Sequence, residues 1–469
     1  MKVESTMEGS IHTKVQIHDL FFPGSVAIIG VPRSLKTGRL FLMALIDQGF
    51  PGPIYPVNPH ATEIDGLKAY PSLSSVPGPV DLAIILVPQS DTLPVIQECA
   101  LKGVKGAVLF TAGYSETGTA EGQALEAEIV RVARASGIRL IGPNGMGFYC
   151  PKSGLSFFPQ LSKEHGSIGI LSHSGSLANI LGYIAGDKGL RFSKMVSIGN
   201  ECDLSMTDFL DYLGEDDDTH VVGIYMEGIK EGSRFIEVLR RTSLKKPVII
   251  WKVGLTPEGA RAAASHTGAL AGSDEIWQSM ARQGGAIPIA GFEAFADTLM
   301  GFSLLGDELG DRIAVISGPG GLAVSAAEAC GFNGLKLAKL MEQTQTALSH
   351  FVPPTGTSLK NPIDVGMTAT LDIDIYIQAV QIVAEDPSVD TLLIIGIGLS
   401  PETNQRYTES LIDLRQRSQK PFLMVNVPGF DPSMSINFRR SGLPFFETAE
   451  RAVATYARIR QYQQWRKKH

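Results

Sequence analysis

The stretch SVAIIGVPRSLKTGRL, Ser25 to Leu40, decides the fold. Its first part is a continuous apolar run that ends in glycine. Its second part carries Arg33, Lys36 and Arg39 around a glycine, then resumes an apolar, helical spacing. Val/Ile/Leu runs without alternation mark strands covered on both faces, as in parallel sheets. A strand, a small-residue turn and a helix in that order open a βαβ unit.

The same pattern continues in both directions. PIYPVNP (Pro53 to Pro59), DLAIILVP (Asp81 to Pro88), GAVLFTAG (Gly106 to Gly113) and IRLIGPN (Ile138 to Asn144) read as further strands, with helices such as SDTLPVIQECALKG between them. A second set opens at GSIGILSHSG (Gly166 to Gly175) and runs through KMVSIGN, HVVGIYMEG and KPVIIWKVG to GAIPIAGFEAF. A third opens at DRIAVISGPGG (Asp311 to Gly321), passes NPIDVG, TLLIIGIG and PFLMVNVPG, and ends in the polar helix ERAVATYARIRQYQQWRKKH. The reading predicts an α/β protein of three consecutive doubly wound units, spanning residues 1–150, 151–298 and 299–469.

The totals agree with large buried cores. The chain has 469 residues, 44% of them hydrophobic and 19% charged, which argues against disorder. A net charge of -7, with no long basic run before the terminal RKKH, gives no case for nucleic acid. Cys99, Cys150, Cys202 and Cys330 lie far apart, in neither metal spacing nor a small disulfide framework. That usage suits a reducing cytoplasm. The opening MKVESTMEGSIHTK lacks the apolar core of a secretory signal. The longest apolar runs are strand length, too short to cross a bilayer.

Ligands of open α/β sheets bind at the carboxyl ends of strands, where helix N-termini suit phosphate. The first turn, Gly30 to Leu40, lacks a clean G-x-G-x-x-G; its three cations could meet phosphates, and an ordinary βα turn competes with that reading. In LSHSGSLANI, Ser174, Gly175 and Ser176 would sit at a helix N-terminus. A nucleophile elbow there would need glycines at positions 172 and 176, and both are serines. A phosphate cradle fits better, with His173 structural or peripheral. Glu227 follows the apolar run VVGIYM at a strand end, where a lone glutamate is usually solvated; a histidine partner would change its weight. SGPGG, Ser317 to Gly321, could approach a phosphate or a partner, or simply pack tightly.

ASHTGALAGSDE, Ala264 to Glu275, places a histidine among small residues. No serine or cysteine triad accompanies it, and no second ligand stands at zinc spacing. What remains is His266 as a nucleophile toward phosphorus, since an imidazole titrating near ~6.5 offers a neutral nitrogen. An anionic phosphohistidine wants a helix N-terminus to hold it and a carboxylate to orient the ring's other N–H. Ser174 to Ser176 and Glu227 are the candidates.

These motifs, taken in order, resemble the α subunit, or α-like half, of the NDP-forming acyl-CoA synthetases: the ADP-forming acetyl-CoA synthetase type, related to succinyl-CoA synthetase. The resemblance runs from about residue 18 to the C-terminus. It rests on SVAIIGVPRSLKTGRL, GFPGPIYPVNP, DLAIILVP, GVKGAVLFTAGYSETG, RLIGPNGMG, ILSHSGSLANI, VSIGNECDLSMTDFLDYL, YMEGIKEGSRF and RAAASHTGALAGSDEIW. It implies a Rossmann-like CoA-binding domain followed by two flavodoxin-like domains. It implies a ligase that interconverts acyl-CoA, ADP and phosphate with carboxylate, CoA and ATP through an acyl phosphate and a phosphohistidine. His266 would be phosphorylated and Glu227 would hold it. Ser174, Gly175, Ser176 and Gly268 would bind phosphate. Gly30, Arg33, Gly38, Pro56, Asn58, Pro59, Val87 and Pro88 would bind coenzyme A, and Asn144 would lie in a turn close to the active site. No metal site is implied on this chain. ADP/ATP and magnesium would sit on a separate ATP-grasp β subunit, in an α2β2 assembly in the cytoplasm.

Four turns depart from the family's usual pattern. Gly30-Val31-Pro32 replaces G-A-S, and Pro32 removes a backbone donor. His60 stands where a basic residue often follows VNP. Ser172-His173-Ser174-Gly175 replaces S-Q-S-G, so His173 is expected to alter acyl selectivity. Ser317-Gly318-Pro319-Gly320-Gly321 replaces a turn with asparagine and G-G-P/A-G. The alternative is a regulatory CoA- or acyl-CoA-binding protein without ligase activity. An NAD-dependent oxidoreductase would need a ribose-binding acid where YPVNP stands.

Overall fold

The apolar runs become the strands of three sheets in a computed structural model, which describes residues 13–267, 273–306, 308–396, 398–427 and 433–469. In the first sheet, β1 (Val26–Ile29), β2 (Ile54–Val57), β3 (Leu82–Ile85), β4 (Gly106–Leu109) and β5 (Arg139–Ile141) pair in parallel in the order β2-β1-β3-β4-β5. The chain goes first to one side of β1 and then returns to the other. The carboxyl ends of β1 and β3 therefore flank the point where the strand order reverses, the usual crevice for a ligand. Ala27, Ile29, Ala83, Ile85 and Ala107 meet Ile96 and Cys99 of the helix Gln89–Lys102, and Ile129 and Ala133 of the helix Ala120–Ala135. Each fully buried isoleucine there contributes ~1.5–3 kcal/mol of transfer free energy.

The second sheet holds β6 (Gly147–Tyr149), β7 (His165–Ser172), β8 (Phe192–Ser197), β9 (Val221–Met226), β10 (Val248–Lys252) and β11 (Ile287–Ile289). Their order is β11-β10-β9-β7-β8-β6, parallel except that β6 runs against β8. In the third, β12 (Arg312–Ser317), β13 (Lys336–Leu337), β14 (Ile363–Asp364), β15 (Thr391–Ile395), β16 (Phe422–Val425) and β17 (Phe445–Phe446) are all parallel. Their order is β13-β12-β15-β16-β17, with β14 also on β12. The fold is thus the α/β, parallel-sheet architecture that the strand–turn–helix alternation predicts.

By internal contacts the chain divides into two compact units, Met1–Ala185 with Arg191–Ala290, and Gly186–Leu190 with Gly291–His469. The first unit contains both the first and the second sheet. A seam of backbone bonds joins them: Asn200 N–H to Pro143 C=O (2.8 Å), Cys202 N–H to Gly142 C=O (3.0 Å) and Leu204 N–H to Leu140 C=O (3.2 Å). Asp203, buried in that seam, accepts from Arg139 Nε (2.9 Å), Arg134 Nε (2.8 Å) and the Leu140 amide (2.9 Å). In the second unit, Arg451 of the helix Ala449–Lys468 grips the buried Asp297 of the helix Phe292–Leu305 through two bonds of 2.6 and 2.8 Å. Among the described residues no helix is long and apolar enough to cross a membrane.

Candidate functional site

Parallel pairing sets β7, β9 and β10 side by side with their carboxyl ends level. Ser172 pairs with Tyr225, and Met226 with Lys252, so the residues that follow these strands meet at one edge. From β7 comes the turn Ser172-His173-Ser174-Gly175. Ser174 is the N-cap of the helix Gly175–Tyr183: its hydroxyl accepts the Leu177 amide at 3.3 Å and lies 3.1 Å from the Ser176 hydroxyl. The first amides of this helix, Gly175 and Ser176, have no intrahelical acceptor and carry the positive end of its dipole. Gly175 permits a close approach, since a Cβ there would fall 2.7 Å from Met146 Cγ.

From β9 comes Glu227. It is 5% exposed, so the solvated state usual for a lone strand-end glutamate does not apply. Burial first, and the Glu227 carboxylate second, raise the Tyr225 phenol to about 12. The Glu227 amide donates to His173 Nδ1 at 2.9 Å, and its carbonyl accepts from Lys252 Nζ at 2.9 Å. Burial lowers the Lys252 pKa, while the Glu227 charge acts against that shift. His173, 8% exposed, turns Nε2 to Glu201, and Glu201 also accepts the Met206 amide at 2.8 Å. Both ring nitrogens of His173 are therefore engaged within the strand-end network.

The turn that carries Asn144 closes another side. Its Asn144 amide donates to Thr111 C=O at 3.2 Å, and the Met146 amide donates to Ser197 Oγ at 3.0 Å. The turn thus spans the end of β4 and the end of β8, with Met146 against Gly175. His266 lies in the helix Pro257–Thr267, which follows β10; its side chain, and all of Gly268, fall outside the described residues.

A second cluster forms at the carboxyl ends of β1, β2 and β3. Gly30 has φ +87°, and a Cβ there would stand 3.0 Å from Val87 Cγ1 and 3.1 Å from the Val87 nitrogen. Asn58 Nδ2 donates to Val31 C=O at 2.7 Å, and its Oδ1 accepts the His60 amide at 2.8 Å. Pro59 continues this turn, and Pro88 caps the helix Gln89–Lys102. Gly38 precedes the helix Arg39–Gln48. Arg33 and Lys36 are exposed, with Arg33 Nη1 3.5 Å from His60 C=O. Two expected members behave differently. Pro56 is buried within β2, opposite Ile28. Arg39 spends its charge on Asp65, Nε to Oδ2 at 2.7 Å, and bridges the Pro32 and Arg33 carbonyls, so it staples the turn.

The third glycine turn is packed by the helix Ile373–Glu385 and by β14. A Cβ at Gly318 would overlap Tyr376 Oη at 1.9 Å, and one at Gly320 would stand 2.5 Å from Asp364 Oδ2. Among the described residues no three His, Cys, Asp or Glu side chains gather to hold a metal ion. Lys252 and Glu201 were missed from sequence. Lys252 carried the same signal as Glu227, an ionisable residue closing a buried apolar strand.

Comparison with known proteins converges with this geometry. Residues 24–151 match the CoA binding domain family, 165–302 the succinyl-CoA ligase like flavodoxin domain, and 313–400 the ligase-CoA domain. The chain is 35% identical over 453 residues to the α subunit of ADP-forming acetate–CoA ligase II of Pyrococcus furiosus, covering 94% of this chain and 97% of that one. It is 36% identical to ADP-forming acetate–CoA ligase I of Archaeoglobus fulgidus, and spans 63% of that protein's length. Among solved structures, a dinucleotide-forming acetyl-coenzyme A synthetase 1 of Ca. Korarchaeum cryptofilum, in complex with phosphate and ADP, superposes with a TM-score of 0.85 at 33% identity. That match covers 96% of this chain and 97% of the other.

Proposed function

The chain belongs to the ADP-forming acetate–CoA ligase family, and on that premise we propose that it is the acyl-CoA-handling α chain of an NDP-forming acyl-CoA synthetase. The observation that carries the reading is the buried Glu227, held beside a helix N-terminus at the mouth of the second sheet.

Coenzyme A lies over Gly30, Arg33, Gly38, Asn58, Pro59, Val87 and Pro88, with Pro56 shaping the strand beneath. A phosphate oxygen attacks the thioester carbonyl near Asn144; the CoA thiolate leaves and an acyl phosphate forms. The His266 ring nitrogen then attacks phosphorus, and the carboxylate leaves. Glu227 accepts the other ring N–H and stabilises the developing imidazolium. The Ser174 hydroxyl and the amides of Gly175 and Ser176, with Gly268, neutralise the phosphoryl oxygens. ADP takes the phosphoryl group from His266 on an ATP-grasp β subunit, which also holds magnesium, in an α2β2 enzyme of the cytoplasm. The name of the Pyrococcus relative, a subunit α, supports a divided enzyme.

The test uses the purified chain, radiolabelled phosphate and a panel of acyl-CoA thioesters, with and without an ATP-grasp chain. Acid-labile, base-stable label on the wild type, absent from His266→Ala, is the expected result, and the best thioester identifies the acyl group. Tight CoA binding with no label under any condition overturns the relay.

A further inference from the structure

The backbone of Glu227 is gripped from both sides by side chains of its neighbouring strands. Its N–H donates to His173 Nδ1, and its C=O accepts from Lys252 Nζ, each at 2.9 Å. We propose that His173 and Lys252 are positioning residues that clamp the Glu227 peptide, so that its carboxylate stays aimed while the phosphoryl group enters and leaves. The inference rests on the reading that His266 is the phosphorylated residue.

Three features carry it. First, the His173 tautomer is fixed. Because Nδ1 accepts the Glu227 amide, the ring proton sits on Nε2 and points to Glu201, which the Met206 amide anchors in turn. Second, Lys252 is buried, and the acceptors of its ammonium are the carbonyls of Glu227 and Val253. Burying this ammonium costs desolvation that the Glu227 charge offsets only in part and that a smaller apolar residue would avoid, which points to function rather than stability. Third, Lys252 stands where β10 leaves for the helix Pro257–Thr267 that carries His266; a Cβ at Gly254 would lie 3.7 Å from its Nζ. One lysine therefore ties the carboxylate's strand to the start of the histidine's segment.

The clamp also gives the departure at position 173 a physical meaning. Glutamine, the residue usual in S-Q-S-G turns, offers one acceptor and one donor on a planar group. Histidine offers the same pair through its two ring nitrogens. His173→Gln should keep both bonds, whereas His173→Leu keeps the bulk and loses both. Lys252→Met keeps the stem and loses the ammonium.

The experiment measures the initial rate of acid-labile labelling of the full chain from acetyl-CoA and radiolabelled phosphate, over a range of each substrate. Circular dichroism and thermal unfolding are recorded for every variant. His173→Leu and Lys252→Met are expected to lose about 10²-fold in maximal rate, the scale of a misplaced catalytic group, with KM for acetyl-CoA unchanged. His173→Gln is expected to recover most of that loss. Wild-type rates in both His173→Leu and Lys252→Met overturn the clamp, as does a loss confined to the acetyl-CoA KM. If wild type does not label, or His266→Ala labels equally, the phosphohistidine reading fails first and takes the clamp with it. Should the leucine and methionine variants not fold, His173→Ala and Lys252→Leu, which also remove the acceptor and the donor, take their places with the same two outcomes.

Discussion

Replacing Gly30 by alanine tests the crevice of the first sheet. At φ +87° an L-residue is in the left-handed half of backbone space, at a cost of ~1–2 kcal/mol. The added methyl restricts the unfolded chain and returns ~0.4–1 kcal/mol. Contact then tips the balance. The new Cβ would meet Val87 Cγ1 at 3.0 Å, the Val87 nitrogen at 3.1 Å and the Leu86 carbonyl carbon at 3.3 Å. The Val87 methyl can rotate away, but the two backbone atoms are held by β3, so the turn after β1 must lift. Net destabilisation of ~1–2 kcal/mol is expected, with CoA binding weakened by about tenfold for each ~1.4 kcal/mol of lost contact. Urea unfolding followed by tryptophan fluorescence measures the first, and isothermal titration with CoA the second. A variant with the wild-type midpoint and wild-type CoA affinity would refute both the strain argument and the placement of CoA at this turn.

Four further outcomes are expected. Asp203→Ala leaves the Leu140 amide and Arg139 without their buried acceptor and should cost ~3–5 kcal/mol in urea unfolding; a loss below ~1 kcal/mol would mean water replaces the carboxylate. Burial raises the Asp203 pKa, but the Arg139 bond and charge, the Leu140 amide and Arg134 outweigh it, and the net shift is downward. Its contribution is therefore full above the unfolded value of ~3.9 and is lost as pH falls through the lower folded value, visible as acid unfolding that Asp203→Asn flattens. Lys252, lowered by burial and facing Glu227, with Tyr225 and His173 on the other sides of that residue, loses its charge as pH rises through a value below 10.5. Labelling should show an alkaline limb that moves upward in Lys252→Arg, and an unmoved limb assigns it elsewhere. Burial pushes the Cys99 thiol up to about 12 and raises Cys150, Cys202 and Cys330 as well, so a disulfide reagent at pH 8 should modify the native chain far more slowly than the chain in denaturant.

How much of this was legible from residues alone depended on distance along the chain. VAII, LAII, VVGIYM and TLLII are uninterrupted apolar runs, and each is a buried parallel strand. Gly147–Tyr149 was not read as a strand: it has three residues, and its partner β8 lies some way along the chain. The two-residue strands Lys336–Leu337 and Phe445–Phe446 are too brief for any periodicity to register. The site divides in the same way. Ser174 as a helix cap is a local property, and it is visible in S-G-S before an apolar helix. Glu227 reads as a solvated strand end because nothing nearby in sequence suggests burial. The groups that bury it, His173 and Lys252, arrive from two other strands, so only the register of β7, β9 and β10 assembles them.

The bonded seam between Gly142–Tyr149 and Ser197–Leu204 bears on how such enzymes could be recombined. A chimera that exchanged the CoA-binding module by cutting at residue 150 would carry β6 away from the sheet it completes. It would also pair a foreign Pro143 carbonyl and Arg139 with the resident Asn200 amide and Asp203. The natural unit of exchange is therefore larger than one sheet. Grafting Ser197–Leu204 together with the module should give soluble hybrids where a cut at 150 gives aggregates.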